Sequence, residues 1–352
     1  MAAAPFTVAR PLINIDGRDQ ANLSERLLAL TTVESASGLY RCEASFGNWG
    51  TVGASIDYIF FDRQTLDFGK TFTVKVGTDT IFEGRIMGLE ANYPQGGGPS
   101  LNVLAEDRLQ DLRMTRRTRT FNDVSDSDLF NRIANDHGLS PSVDLSGGTH
   151  KVVAQVNQSD LAFLRERARA IDADLWVSGS TLNARARPAR ADSATELTYT
   201  GSLREFSAFA DLAMQRTHIV VSGWDVSGKS AIKHEAGASV ISSELNGDTS
   251  GVSILQSALG ERKEVLAHTV PFTTQDARAE AEAVFKMSAR RFVVGRGVCE
   301  PKPNLRVGGF VDIKNVGPLF SGKYYLTEVQ HVFDARGIRT EFTGERPGIG
   351  HS

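Results

Sequence analysis

One stretch of this 352-residue sequence matches a phosphate-binding pattern letter for letter. Gly223-Trp-Asp-Val-Ser-Gly-Lys-Ser230 fits G-x-x-x-x-G-K-[ST]. In that chemistry backbone N–H groups wrap a phosphate, Lys229 would reach the β/γ oxygens and Ser230 would hold magnesium. A strand precedes it, Ile219-Val-Val-Ser222. The required helix does not follow, because Ala231-Ile-Lys-His-Glu-Ala-Gly237 offers less than two turns before a glycine. Trp224 is bulky where the loop must hug phosphate, and no alternating β/α units surround it. Downstream, Asp312 follows the apolar pair Phe310-Val311 but sits in a glycine-bounded β repeat. The sequence therefore reads Gly223, Gly228, Lys229 and Ser230 as a decoy, a strand running into a turn.

Other chemistry is thinner. The histidines at 137, 150, 218, 234, 268, 331 and 351 form no H-E-x-x-H motif and no i,i+4 pair. No G-x-S-x-G elbow provides a nucleophile. Asp123, Asp126 and Asp128 lack the glycine and closing glutamate of a calcium loop, and read instead as negative charge at a helix N-terminus. Among 42 acids no two are marked as a glycosidase pair. The basic run Arg113-Met-Thr-Arg-Arg-Thr-Arg119 reads as a solvated strand or salt-bridged face, and a net charge of −3 suits no protein built to coat nucleic acid. Cys42 and Cys299 stand in no ligand spacing and are expected to be buried thiols. The expectation is no catalytic residue, no cofactor and no metal.

The elements that would position such groups are mostly strands. Apolar residues make up 41% and charged residues 23%, the balance of a globular chain. The first residues show no signal-peptide pattern, and no run approaches the roughly 20 apolar residues that span a bilayer. Ile56–Phe61, Phe72–Val76, Ile81–Ile86 and Leu101–Leu104 are short, β-branched or aromatic, and separated by turn residues; Pro94-Gln-Gly-Gly-Gly-Pro99 predicts a hairpin tip. Ser125-Asp-Ser-Asp128 predicts a capping box, with Leu129, Ile133 and Ala134 on the buried face and Gly138 as the stop. After Ser159 a second helix buries Leu161, Leu164, Ala168 and Ile171 and turns Arg165, Glu166, Arg167 and Arg169 to water. A hairpin through Leu175-Trp-Val177 and Thr181–Ala184 follows. Val226 to about Ala267 reads as long loops, then a helix from about Gln275 to Arg290, then strands at 310–313, 324–329 and 339–342.

Two of these regions look alike. Gly69–Gly77 aligns with Gly308–Gly317, and Ile81–Glu90 with Leu319–Glu328, so that Phe82 meets Phe320, Gly84 meets Gly322 and Glu90 meets Glu328. The expected fold is α+β, mostly antiparallel β, with two related barrel-like units and an inserted helical subdomain. The expected boundaries are residues 1–118 for the first unit, completed by strands near 195–222, then 119–190, 191–346 and a tail at 347–352. Three copies of such a chain would place six similar units in a ring.

At these residues the sequence resembles the late control gene D family of contractile phages and the hub portion of type VI secretion spike proteins. The resemblance rests on Phe82–Ile86, Ala105–Arg108 with Arg117–Phe121, Ser127–Leu139, Gln158–Trp176 and Phe320–Phe342. Within them Gly84, Asp160, Phe163, Leu164, Trp176, Phe320, Gly322 and Tyr324 are implied structural positions. The resemblance implies a homotrimeric baseplate hub between a hexameric inner tube protein and a trimeric spike protein on a separate chain, in contact with other baseplate proteins, without a membrane anchor or sequence-specific nucleic acid. It implies synthesis in the cytoplasm and assembly into a tail particle. Two rivals stand beside it, a P-loop nucleotidase and a cell-wall glycan-binding module. For the latter Trp49, Trp176 and Trp224 are the aromatics to consider, although no aromatic cluster is visible in the sequence.

Overall fold

The computed structural model of the chain describes residues 10–187, 194–225, 228–267 and 271–351. The first unit contains β1 (Leu12–Ile15), β2 (Leu27–Ser35), β3 (Arg41–Gly47), the short hairpin β4 (Trp49–Val52) and β5 (Ser55–Tyr58), β6 (Thr71–Val76), β7 (Asp79–Asn92) and β8 (Ser100–Glu106). Alternation of side chains across the pleat gives these strands one buried face: Phe72, Val74 and Val76 point inward from β6 while Thr71, Thr73 and Lys75 alternate with them. Their core gathers Phe46, Phe60, Leu66, Phe72 and Ile86. The expected strand over 56–61 ends at Tyr58. Asn48 Oδ1 accepts from the backbone N–H of Ile59 (2.9 Å) and Phe60 (2.7 Å), which takes these groups out of any ladder.

The inserted subdomain comprises β9 (Arg116–Ser125), α1 (Asp126–Asp136), β10 (Ser140–Asp144), β11 (Thr149–Ser159), α2 (Asp160–Ala170), β12 (Ala173–Ser178) and β13 (Thr181–Ala186). The capping box at Ser125 and Asp128 forms, and Gly138 takes a positive φ just past α1. The expected hairpin of β12 and β13 forms, with Ser178 opposite Thr181. Two arginines of α2 do not face bulk water as expected. Arg167 Nε donates to buried Asp126 at 2.6 Å, and Arg165 donates to the carbonyls of Ser37 and Gly38 (2.6 and 3.0 Å) in the first unit. Arg167 neutralises a buried acid within the subdomain and Arg165 ties the subdomain to the first unit, partners a helical wheel does not show.

The remainder holds β14 (Ala194–Thr198), β15 (Leu203–Ala210), β16 (His218–Asp225), β17 (Ser230–Gly237), α3 (Gly251–Leu259), β18 (Lys263–Leu266), α4 (Thr274–Arg290), β19 (Val293–Cys299), β20 (Phe310–Lys314), β21 (Gly322–Asp334) and β22 (Gly337–Arg346). Two expectations change here. The strands near 195–222 do not complete the first unit: β14 pairs with β20 and β15 with β19, and Leu197 and Leu203 lie in the second core. The stretch expected to be long loops instead carries β17, a 3-10 turn over Ala238–Glu244, α3 and β18 around a fourth core with α4. Each of these short elements contributes only one or two buried side chains, such as Ile232, Ile241 and Leu255, so no periodicity builds up.

The architecture is α+β and mostly antiparallel. One thirteen-stranded sheet runs β15-β19-β22-β21-β2-β3-β8-β7-β6-β1 and ends on the two-residue strand Arg18–Asp19, with β20 also paired to β21 and β14 to β20. The seam between the units is the pairing of β21 with β2, from Glu328 opposite Ser35 to Phe333 opposite Leu30.

The two units share a pattern of bonds and bulges. Gly69 N–H donates to the Ile86 carbonyl (2.8 Å) and Ile86 N–H to Lys70 (3.0 Å); Gly308 donates to Leu326 (3.0 Å) and Leu326 to Gly309 (2.9 Å). A one-residue bulge falls between Ile86 and Gly88 against β8, and between Leu326 and Glu328 against β22. A second bulge, between Leu27 and Ala29 on β2, recurs between Leu203 and Glu205 on β15. Conserving the residue count around two bulges is stronger grounds for a repeat than the letter matches. It also corrects them. Gly84, opposite Phe72, is equivalent to Tyr324, opposite Val311, and not to Gly322. The sequence alignment slipped by two residues in this strand, and a slip of two leaves every side chain on its own face, so the hydrophobic pattern cannot reveal it.

Candidate functional site

The phosphate-binding pattern lies on a β-hairpin. β16 and β17 pair antiparallel from His218 opposite Gly237 to Asp225 opposite Ser230, so Ser230 opens a strand and no helix N-terminus faces the turn. Val226 and Ser227 lie outside the described residues. The Asp225 carboxylate accepts from Gly228 N–H at 2.9 Å, occupying a donor that a phosphate would need. At Gly223 a Cβ would stand 2.8 Å from the Pro271 carbonyl and ring, so close packing against Pro271 accounts for that glycine. Trp224 projects into solvent, 56% exposed.

The titratable groups gather into structural networks. Asp160, 1% exposed at the start of α2, accepts from Arg119 (2.8 Å) and Gln155 (2.9 Å), lies 2.8 Å from the His137 ring and 3.2 Å from Arg117. Burial alone would raise its carboxyl, but the hydrogen bonds from His137 and Gln155 and the two arginine charges hold it below the usual range. Asp126 is held low in the same way by His150 and Arg167 against its desolvation. The basic run of the sequence is thereby largely spent on buried acids. Arg290, 4% exposed on α4, joins two bodies: it donates to Asp172 of the inserted subdomain (2.8 Å) and to Glu244 of the fourth core (2.7 Å). Among the described residues no group of three or more acids, histidines or cysteines is placed to hold a metal; His268 lies outside them. Cys42 and Cys299 are buried, and burial pushes the Cys299 thiol up to about 12.

The remaining family-motif positions are packing positions. A Cβ on Gly84 would lie 2.3 Å from the Glu106 carbonyl oxygen, so strands β7 and β8 approach there only because the residue is glycine. Phe163 stacks on Phe121 (5.8 Å, 11°), and Leu164 is fully enclosed. Trp176 is partly buried against the first core. Tyr324 meets Phe206 edge-on at 5.7 Å and donates to the Phe320 carbonyl at 2.7 Å, while Gly322 opens β21 opposite Ile313.

Surface features are more informative. Two concavities, about 400 and 560 Å³, sit on the sheet, one on each β unit. By strand register they are the same place twice: Glu205, Ser207, Arg296, Glu328 and Glu341 line one, where Ala29, Thr31, Glu43, Gly88 and Asn102 line the other. An aromatic cluster, absent from the expectations, also exists. Trp49 and Tyr58 meet at 5.1 Å, Tyr58 stacks on Phe61 at 4.7 Å, and Tyr93 approaches both (6.2 and 6.4 Å). Its members are separated by up to 44 residues (93 − 49), and only the fold of the β4–β5 hairpin onto the end of β7 assembles them.

The fold is found in solved structures. The 43 kDa tail protein of prophage MuSo2 from Shewanella oneidensis aligns with a TM-score of 0.71 at 10% identity, over 96% of this chain and 98% of that one. A tail protein from Neisseria meningitidis MC58 gives 0.68 at 9% identity, over 97% of each. The E. coli c3393 protein, described as a component of the type VI secretion system, gives 0.57 at 11% identity, over 97% of this chain and 77% of that one. No curated protein matches the sequence. Among the described residues no helix is long and apolar enough to cross a membrane. By sequence, the family described as the Alg8 N-terminal domain matches residues 54–334. The chain thus belongs to the Alg8 N-terminal domain family, and its fold is that of phage tail proteins and of a type VI secretion component.

Proposed function

We propose that the chain is a structural hub of a phage tail or contractile injection machine, a homotrimer that joins a six-fold inner tube to a three-fold spike, acts without catalysis or cofactor, and assembles with other baseplate proteins into a tail particle. The observation that carries this reading is the repeat of bonds and bulges: one chain presents two similar β units, so three chains present six. The duplicated concavities give a six-fold partner six comparable surfaces. Gly223, Gly228, Lys229 and Ser230 are then a turn and its flanking strands, and Lys229→Ala leaves assembly intact. The test is affinity purification from producing cells, followed by sedimentation and mass spectrometry. The reading expects a particle containing tube and spike chains, with this 38.2 kDa chain in threefold copy. A solitary monomer in cells that are making particles refutes it.

The aromatic cluster supports one other reading, glycan binding, because exposed rings stack on sugar faces. That reading requires sedimentation with purified cell-wall glycan by the isolated chain, lost in Trp49→Ala.

A further inference from the structure

The repeat has an open end. Within the chain, β21 is paired on one side with β22; its other side carries β20 at first and then β2. The equivalent strand β7 is paired on one side with β8, and its other side carries β6 only as far as Arg85. From Gly88 to Tyr93 that side has no strand beside it among the described residues. The equivalent of β2 is β15, which lies at the outer edge of the sheet; among the described residues its one strand partner is β19, apart from a bridge between Leu203 and Tyr199. The chain therefore ends in two unpaired edges of matching length, which are the two halves of a seam it has already made once internally.

We propose that these edges pair between neighbouring copies of this chain, in the register that the internal seam dictates. Carried across by the bulge-matched equivalence, Glu328 opposite Ser35 becomes Gly88 opposite Asp211. Gln330 opposite Val33 becomes Glu90 opposite Phe209, and Val332 opposite Thr31 becomes Asn92 opposite Ser207. This rests on the trimeric reading above and specifies its interface. A long unpaired edge needs a partner or a guard, and neither proline nor lysine guards residues 88–92 or 206–210.

The side chains beside the edges fit a second copy. At the internal seam Glu34 reaches across: its carboxylate accepts from Val307 N–H (3.1 Å) and pairs with Arg306. The corresponding positions at the open edges are Ala210 for Glu34, and Phe68 and Asp67 for Val307 and Arg306. The ion pair is thus replaced by an alanine and an aspartate that cannot pair across the seam, and Phe68, at the Val307 position, is 56% exposed. Tyr93 (59%) flanks the β7 edge and Phe209 (68%) and Met214 (64%) the β15 edge, large apolar surfaces lacking cover in a single chain.

Cysteine cross-linking tests both partner and register. Glu90, Asn92, Ser207 and Phe209 all point outward from the sheet. Directly opposed Cβ atoms lie about 5 Å apart, within disulfide reach, whereas diagonal ones at roughly 7–8 Å are not. The double variants Glu90→Cys/Phe209→Cys and Asn92→Cys/Ser207→Cys are purified as full chains with their particle and oxidised. The expected result is a covalent species of three chains and nothing larger, lost on reduction. The single variants and the diagonal control Asn92→Cys/Phe209→Cys are expected to stay at one chain. Circular dichroism under reducing conditions verifies folding, and either direct pair suffices if the other misfolds. If sedimentation shows three copies while neither direct pair cross-links, or the diagonal control does so equally, the edge proposal falls and the hub reading survives. If no three-copy species exists in the particle, both fall.

Discussion

Acid should loosen the seam between the two β units, and His331 is the residue through which this is measured. It lies on β21 opposite Thr32 of β2, is 2% exposed, and its Nδ1 sits 3.1 Å from Thr340 Oγ1. Burial first and the nearby Arg306 charge second bring its pKa down from 6.5 to about 4. The folded protein therefore holds the neutral ring over a range in which the unfolded chain takes up a proton. Stability from this group is fully present above pH 6.5 and is lost as pH falls towards 4. The full separation corresponds to roughly 3 kcal/mol, of which about 2.5 kcal/mol is expressed by pH 4.5. The assay compares urea unfolding of the native chain and of His331→Gln at pH 7 and pH 4.5. Other titrating groups contribute equally to both proteins, so the difference of differences isolates this ring. The native chain should lose about 2.5 kcal/mol more than the variant. Equal losses within about 0.5 kcal/mol, or a ring that titrates near its ordinary value by NMR, would refute the reasoning.

Further outcomes follow from contacts already described. Gly84→Ala forces β7 away from β8 and should cost about 2–3 kcal/mol, while Gly98→Ala, with open space around it, should be neutral; thermal melts separate the two. Arg290→Met leaves Glu244 without its cation and Asp172 with only Lys286 at 4.0 Å, and a loss of roughly 3 kcal/mol is expected in denaturant unfolding. Asp160→Asn weakens the contacts to Arg119, Arg117 and His137 and should lower the melting temperature of the inserted subdomain's core, read by the near-UV signal of stacked Phe121 and Phe163. Lys229→Ala should change neither melting temperature nor its insensitivity to added ATP.

What the sequence disclosed depended on whether the information was local. The capping box at Ser125, the Ser159 cap, the α4 helix and the meander strands are set by neighbours three or four residues away, and their chemistry is visible in the string. β2 and β3 were not read as strands, because Leu27-Leu-Ala-Leu mixes helical and extended preferences and only pairing with β21 and β8 decides. The assignment of 195–222 failed for the same reason: β14 joins its partner across more than a hundred residues. The repeat was visible as letters but not in register, since the bulges that set the register have no letter of their own. At the surface, the aromatic cluster needed the fold, and the buried partners of Arg165 and Arg167 came from elements a helical projection omits.

β21 lies in both β units: its first half is walled by β20 and its second by β2, and Leu326 and Val329 belong to one hydrophobic core while Phe333 belongs to the other. A chain built this way has no hinge between its halves. Pulling the halves apart along the strand direction loads the β21–β2 ladder in shear, so its hydrogen bonds must fail together and cannot unzip one at a time. Tension applied to one half is transmitted to the other through continuous covalent backbone. The two halves act as a single stiff girder, and rotation between them would require breaking the strand's own pairing.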